Sequence, residues 1–159
     1  MSPARVFSIN ISGGGVPKLP VSEAEVGELG IVGDDHDDKE NHGGPLQALC
    51  LYSVDALQRL QAEGHPVVAG GMGENITFEG LDVSDLRPGD RLRIGAIEVE
   101  ITFYASPCRT IEGNFKDGVF TRVSHKVHIE DSRLYARIIR GGPIRQGDPV
   151  ELIKEAAKA

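Results

Sequence analysis

A cysteine set between a proline and an arginine, in Ser106-Pro107-Cys108-Arg109, is the stretch of this sequence best suited to chemistry. The thiolate rather than the thiol attacks electrophiles and binds metal, and Arg109 favours the ionised form where the two side chains converge. The competing reading is a thiol that only packs, because a free cysteine often behaves as a small hydrophobe. Cys50, the other cysteine, fits that second description: it lies between Leu49 and Leu51 with no adjacent charge, and core packing is expected of it.

Other polar groupings invite the same comparison. Asp34, Asp35, His36, Asp37, Asp38 and His42 mix carboxylate with imidazole, as zinc and non-haem iron sites do, but their spacing meets no tight ligand template. Asp35, Asp37 and Asp38 therefore read as a solvated acidic loop. Asp34 and His42 border glycine turns, at Gly33 and Gly43-Gly44, and are expected to fix loop shape through hydrogen bonds. Ser12-Gly13-Gly14-Gly15 with Lys18 could hold an anion through bare backbone N–H groups and an ammonium, although neither Walker nor Rossmann spacing is met. In Gly71-Met72-Gly73-Glu74-Asn75, Asn75 offers both donor and acceptor and Glu74 an acid or base; the plain alternative is a turn before a strand. His125 and His128 fall in a charged, aperiodic stretch and read as surface residues. No Gly-x-Ser-x-Gly elbow of a serine hydrolase is present.

The elements that must position these residues are mostly strands. Ile97, Val99, Ile101 and Phe103 alternate with Glu98, Glu100 and Thr102, the period of a strand with one dry and one wet face. Arg91 to Ile94 precedes it across Gly95-Ala96, as in a tight hairpin. Cys108 is thereby placed where a strand hands over to a loop, a common position for chemistry. Further strands are expected at Arg5–Ile11, Val21–Val26, Leu46–Tyr52, Asn75–Phe78, Leu134–Ile139 and Val150–Ile153, the last two separated by Gly141-Gly142-Pro143. Ser53 offers an N-cap to a helix whose Val54, Leu57 and Leu60 share a face, and Gly64 and Pro66 end it. Arg87-Pro88-Gly89-Asp90 and Arg145-Gln146-Gly147-Asp148 form two matching strand lead-ins, each with a glycine for positive φ and an Asp to bond nearby backbone. Short strands with glycine-rich links indicate a mainly β, barrel-like fold of mixed α+β character with a few short helices.

Composition narrows the partners. The 159 residues suit one domain, taken as 1–153 with a frayed tail at 154–159. A formal charge of -7 argues against broad nucleic-acid or anionic-membrane binding, yet leaves room for a local anion pocket. Two cysteines, no signal-like start and no long apolar run make the cytoplasm the expected compartment.

Read in order, Gly30-Ile-Val-Gly-Asp34, His42-Gly-Gly44, Gly73-Glu-Asn-Ile76, Gly89-Asp-Arg-Leu-Arg-Ile-Gly95, Pro107-Cys108, Tyr135-Ala-Arg137 and Gly141-Gly142 with Gly147-Asp148 resemble the MOSC family. That is the C-terminal domain of molybdenum-cofactor sulfurases, also found as free-standing bacterial proteins, and the likeness covers nearly the whole chain. The resemblance implies a β-rich, barrel-like fold that binds the molybdenum cofactor (molybdopterin), with Cys108 as metal ligand or persulfide carrier. By position it also implies cofactor contacts at Lys18, Asp34, His42, Glu74, Asn75 and Arg137. Many members carry an Arg shortly before Pro-Cys, where this chain has Tyr104-Ala105-Ser106, and Arg109 is the replacement nearest in sequence. Pyridoxal-phosphate chemistry belongs to a different domain of the sulfurases and is not expected within this chain. The implied activity is reduction of N-hydroxylated small-molecule substrates, with a separate protein as electron donor, because no flavin fingerprint or iron–sulfur cysteine set is present. The alternatives are a persulfide carrier fed by a sulfur-donor protein, and a non-enzymatic binding or adaptor domain.

Overall fold

The computed structural model describes residues 4–12, 16, 18–34, 45–107 and 109–153. Among these residues the strands run β1 Arg5–Ile11, β2 Leu19–Val21, β3 Glu23–Gly27, β4 Gly30–Ile31, β5 Leu49–Ser53, β6 Ile76–Glu79, β7 Arg91–Ile94, β8 Ile97–Ala105, β9 Arg133–Arg140, β10 Gly142–Arg145 and β11 Val150–Ile153. One α-helix, α1, spans Val54–Ala62, and short 3-10 turns occupy several of the links. The larger sheet has the order β11-β7-β8-β9-β5-β6-β1-β2, and β10-β3-β4 form a smaller one. Mainly β architecture with sparse helix agrees with the sequence reading.

The larger sheet curls so far that its two ends meet. Val6 N donates to Asp148 O at 2.8 Å, Gly147 N to Val6 O at 2.8 Å and Val150 N to Ala4 O at 3.0 Å. An isolated bridge joins Arg5 to Pro149, so the sheet approaches a barrel without a continuous closing ladder.

Period-two patterning sets the inner face. Ile97, Val99 and Ile101 of β8, Leu49 and Leu51 of β5, Ile76 and Phe78 of β6, and Leu134 and Ala136 of β9 all join one core. Strand β1 breaks strict alternation: Val6 and Ile9 both face that core because a register shift lies between Val6 and Ser8, leaving Phe7 41% exposed. Such a bulge moves an extra residue out of the ladder and turns the rest of the strand over.

The matching strand lead-ins are built alike. Asp90 Oδ2 accepts from Arg87 N at 3.0 Å, and Asp148 Oδ2 from Arg145 N at 2.8 Å. Gly89 and Gly147 take φ of 99° and 91°, a region costly for any residue with a Cβ. The strands that follow, β7 and β11, pair with each other.

Four expectations need correction. Phe103, expected on the dry face of β8, is 43% exposed, because a register shift lies between Ile101 and Phe103. The strand expected at 21–26 is two, β2 and β3, divided at Ser22, which lets them join different sheets. The strand expected from Leu46 begins only at Leu49, after a 3-10 turn at Pro45–Gln47. Gly142–Arg145 is not a bare link but strand β10, pairing with β3; it lies at a sheet edge, where Pro143 is tolerated.

Helix α1 covers the outer face of β5. Ser53 caps it, with Oγ accepting from Asp55 N at 3.1 Å and Ala56 N at 3.4 Å. Val54, Leu57 and Leu60 then meet Tyr52, Val67, Met72, Ile111, Phe115 and Val123 in a second core. Burying each leucine contributes roughly 1.5–3 kcal/mol. Loss of the cap in Ser53→Ala is expected to lower unfolding free energy by about 1 kcal/mol in urea titration, without a change in the slope m; an unchanged midpoint would remove the cap from the account.

Candidate functional site

Because Leu49 and Leu51, Ile76 and Phe78, and Leu134 and Ala136 point into the first core, the alternate positions of their strands point out of the curl. Strands β9, β5, β6 and β1 are neighbours in that order. Arg133, Cys50, Thr77, Ser8 and Asn10 thus form a polar layer across four strands, and all five are buried.

The turn before β6 locks into this layer. Asn75 accepts from Cys50 N at 2.9 Å through Oδ1, and Asn75 N donates to Cys50 O at 2.8 Å. Its Nδ2 donates to Asp34 Oδ2 at 2.7 Å. Asp34 Oδ1 in turn accepts from Lys18 Nζ at 2.7 Å and Ser12 N at 2.9 Å. The Lys18 and Asp34 side chains are only 5% and 4% exposed, so this ion pair is scarcely screened by solvent. Lys18 N also donates to Gly70 O at 2.9 Å, and a Cβ on Gly70 would collide with the Lys18 carbonyl. Glycine is required there by close approach as well as by its φ of 84°.

Glu74 lies beneath the turn, fully buried. Its Oε1 accepts from Met72 N at 3.2 Å and its Oε2 from Thr77 Oγ at 3.1 Å. Burial raises the Glu74 carboxyl above its ordinary range, outweighing these bonds and the nearby Arg133. Cys50, beside Arg133, is pushed up to about 11, again chiefly by burial. Packing is therefore its role, as expected, although the charged neighbour comes from the next strand rather than from the sequence around it.

Lys18, Asp34, Glu74 and Asn75 are thus brought together from separate parts of the chain. Arg109 opens a 3-10 segment, Arg109–Asn114, and is exposed. Arg137 Nε bonds Glu100 at 3.1 Å in a cross-strand ion pair. Cys108 and His42 lie outside the described residues, as do Asp35, His36, Asp37, Asp38, the glycines at 13–15 and the tail 154–159. His125 is more than a surface residue: its ring stacks on Tyr104 at 4.7 Å and its Nδ1 is buried without a partner.

Asn10, Thr77 and Arg133 were not singled out in the sequence. Face parity could have found Arg133, since it shares a strand face with Tyr135 and Arg137. Among the described residues, His128, Glu130 and Asp131 are grouped closely enough to suggest a metal. Asp131, however, already accepts from Arg59 Nε at 2.8 Å and Arg122 Nη1 at 2.7 Å, and two guanidinium groups repel a cation.

A curled, mainly β sheet with one packed helix and a buried polar layer on its outer face defines the class of protein. The chain belongs to the MOSC family: the model described as MOSC domain matches residues 38–151. It is 27% identical over 147 residues to Protein YiiM of Escherichia coli, covering 89% of this chain. It is 28% identical over 146 residues to the uncharacterized protein YflK of Bacillus subtilis, covering 91% of this chain. The chain spans 65% of the length of each of these relatives. Among solved structures, YUAD protein from Bacillus subtilis superposes with a TM-score of 0.75 at 15% identity, covering 95% of this chain and 96% of that one. YiiM from Geobacillus stearothermophilus gives 0.69 at 24% identity, covering 96% and 76%. These two structural likenesses establish the fold alone. Among the described residues no helix is long and apolar enough to cross a membrane.

Two outcomes test the site chemistry. Since Glu74 holds its proton more tightly in the folded chain than in the unfolded one, the stability this group lends is full below the ordinary carboxyl value of 4.5 and declines as pH rises through the folded value. Glu74→Gln keeps partners for Met72 N and Thr77 and removes that decline. Its melting temperature relative to the parent should rise between about pH 5 and about pH 8, and a flat difference would contradict a raised carboxyl. Separately, Cys50 should resist iodoacetamide at about pH 8 in the folded chain and react after denaturation, as read by peptide mass.

Proposed function

We propose that this chain binds the molybdenum cofactor and reduces N-hydroxylated small molecules, with Cys108 as the metal ligand and a separate protein as electron donor. Family membership supports cofactor binding. The observation that carries the reading is the buried polar layer, in which Lys18, Asp34 and Asn75 form one hydrogen-bonded unit on the side of the sheet where the exit of β8 is held by Arg133.

The residues present fit an anionic pterin group in charge and donor type. Lys18 is already neutralised by Asp34, so the surplus positive charge is the buried Arg133 guanidinium, whose Nε has no acceptor among the described residues. A surplus of N–H donors suits a phosphate-bearing ligand better than a neutral one. When bound, the cofactor supplies two-electron oxygen removal. The protein's share is position: Asp34 orients the Lys18 ammonium, Asn75 joins Asp34 to strand β5, and Gly70 lets the Lys18 backbone approach the turn.

The reading is tested on protein produced in cells that make the cofactor. Gently purified parent should carry close to one molybdenum per chain, by elemental analysis. Cys108→Ala should lose amidoxime reduction in the presence of a competent donor, while melting as the parent does. A fully active Cys108→Ala variant would falsify the mechanism; a sulfur adduct on Cys108 without metal would point to sulfur carriage instead.

A further inference from the structure

Arg133 is 3% exposed, at the start of β9, and among the described residues its guanidinium has no carboxylate in ion-pair contact. Nη1 donates to Met72 O at 3.0 Å and Nη2 to Ser106 O at 3.3 Å, while Nε is buried with no acceptor. Cys50 and Glu74 lie within its electrostatic reach, yet a buried charge held directly by two carbonyls and by no carboxylate is costly, and an apolar side chain of similar length would fill the same space more cheaply. What it provides is a fork spanning two segments. Met72 belongs to the turn that presents Glu74 and Asn75, whose Glu74 Oε1 accepts from the N–H of that same Met72. Ser106 is the first residue after β8, two before Cys108 in the chain.

We propose that Arg133 is the positioning residue of this site, a clamp that fixes the exit of β8 against the turn carrying Glu74 and Asn75. It approaches the Pro107-Cys108 stretch from the neighbouring strand, whereas Arg109 adjoins that stretch in sequence. The clamp itself depends only on described atoms; its service to Cys108 rests on the function proposed above. A lysine could keep the charge and reach one carbonyl, whereas a methionine keeps bulk alone.

The test uses the full chain with Arg133→Met and Arg133→Lys, reading amide hydrogen exchange and molybdenum content. In Arg133→Met, exchange over residues 103–110 should accelerate about tenfold while α1 exchanges as in the parent, and Arg133→Lys should lie between the two. Bound molybdenum should fall at least about fivefold in Arg133→Met and recover in part with lysine. Parent-like exchange at 103–110 in Arg133→Met overturns the clamp, as does equal acceleration throughout the chain, which would mark a purely structural residue. Lysine no better than methionine also overturns it, and so does a loosened segment that retains full molybdenum. Parent protein free of molybdenum defeats the functional reading instead, and exchange at 103–110 then still decides whether the clamp exists.

Discussion

The carboxylate of Asp34 is the point at which three distant stretches of chain are held together. One oxygen accepts from the Ser12 backbone and from Lys18, the other from Asn75, and Asn75 in turn grips both backbone polar groups of Cys50. The Lys18, Asp34 and Asn75 side chains are almost wholly buried, so each bond made between them is also a desolvation penalty avoided. The end of β1, the segment before β2, the close of the β3–β4 hairpin and the start of β6 are consequently tied to one another. The remaining polar layer is arranged on that foundation.

Burial on the outer face has two parts with different chemistry. Under α1, the Tyr52 ring and its neighbours pack as a hydrophobic cluster and supply cohesion. Farther along the same strands, Cys50, Asn10 and Thr77 give way to hydrogen bonding, with Ser8 Oγ donating to Asn10 Oδ1 at 2.6 Å and Asn10 Nδ2 donating to Thr77 Oγ at 3.2 Å. A layer whose members satisfy one another is rigid, because moving one leaves others unpaired. Rigidity of this kind is what a site needs if its donors are to keep their direction before any ligand arrives. The ion pair of Arg137 with Glu100 lies farther out along β9 and is more exposed, and its contribution to order is correspondingly smaller.

Several features were legible because their causes are local. Alternation in 97–101 determined which side of β8 is dry, Ser53 determined where α1 begins, and the two glycine–aspartate lead-ins determined how β7 and β11 start. A strand's parity, a helix cap and a turn of positive φ each depend on residues a few positions apart. The bulge in β1 and the division of 21–26 were less legible, since both answer to the partner strand: β1 must serve β2 on one edge and β6 on the other, and β3 must leave for the smaller sheet.

The sequence by itself determined the strand-rich class, the inner faces and the stretches around Lys18, Asp34, Glu74 and Asn75 from which a site could be built. Tertiary structure decided that those four meet, that β10 pairs with β3, and that Arg133 reaches the exit of β8 at Ser106. The reason is distance along the chain. Lys18 and Asp34 are separated from Asn75 by the whole of β5 and α1, and Arg133 reaches Ser106 only because β9 runs antiparallel beside β8. Pattern and propensity act over a turn or a strand, whereas which buried donor finds which acceptor is settled only when the sheet has curled and its outer face is covered.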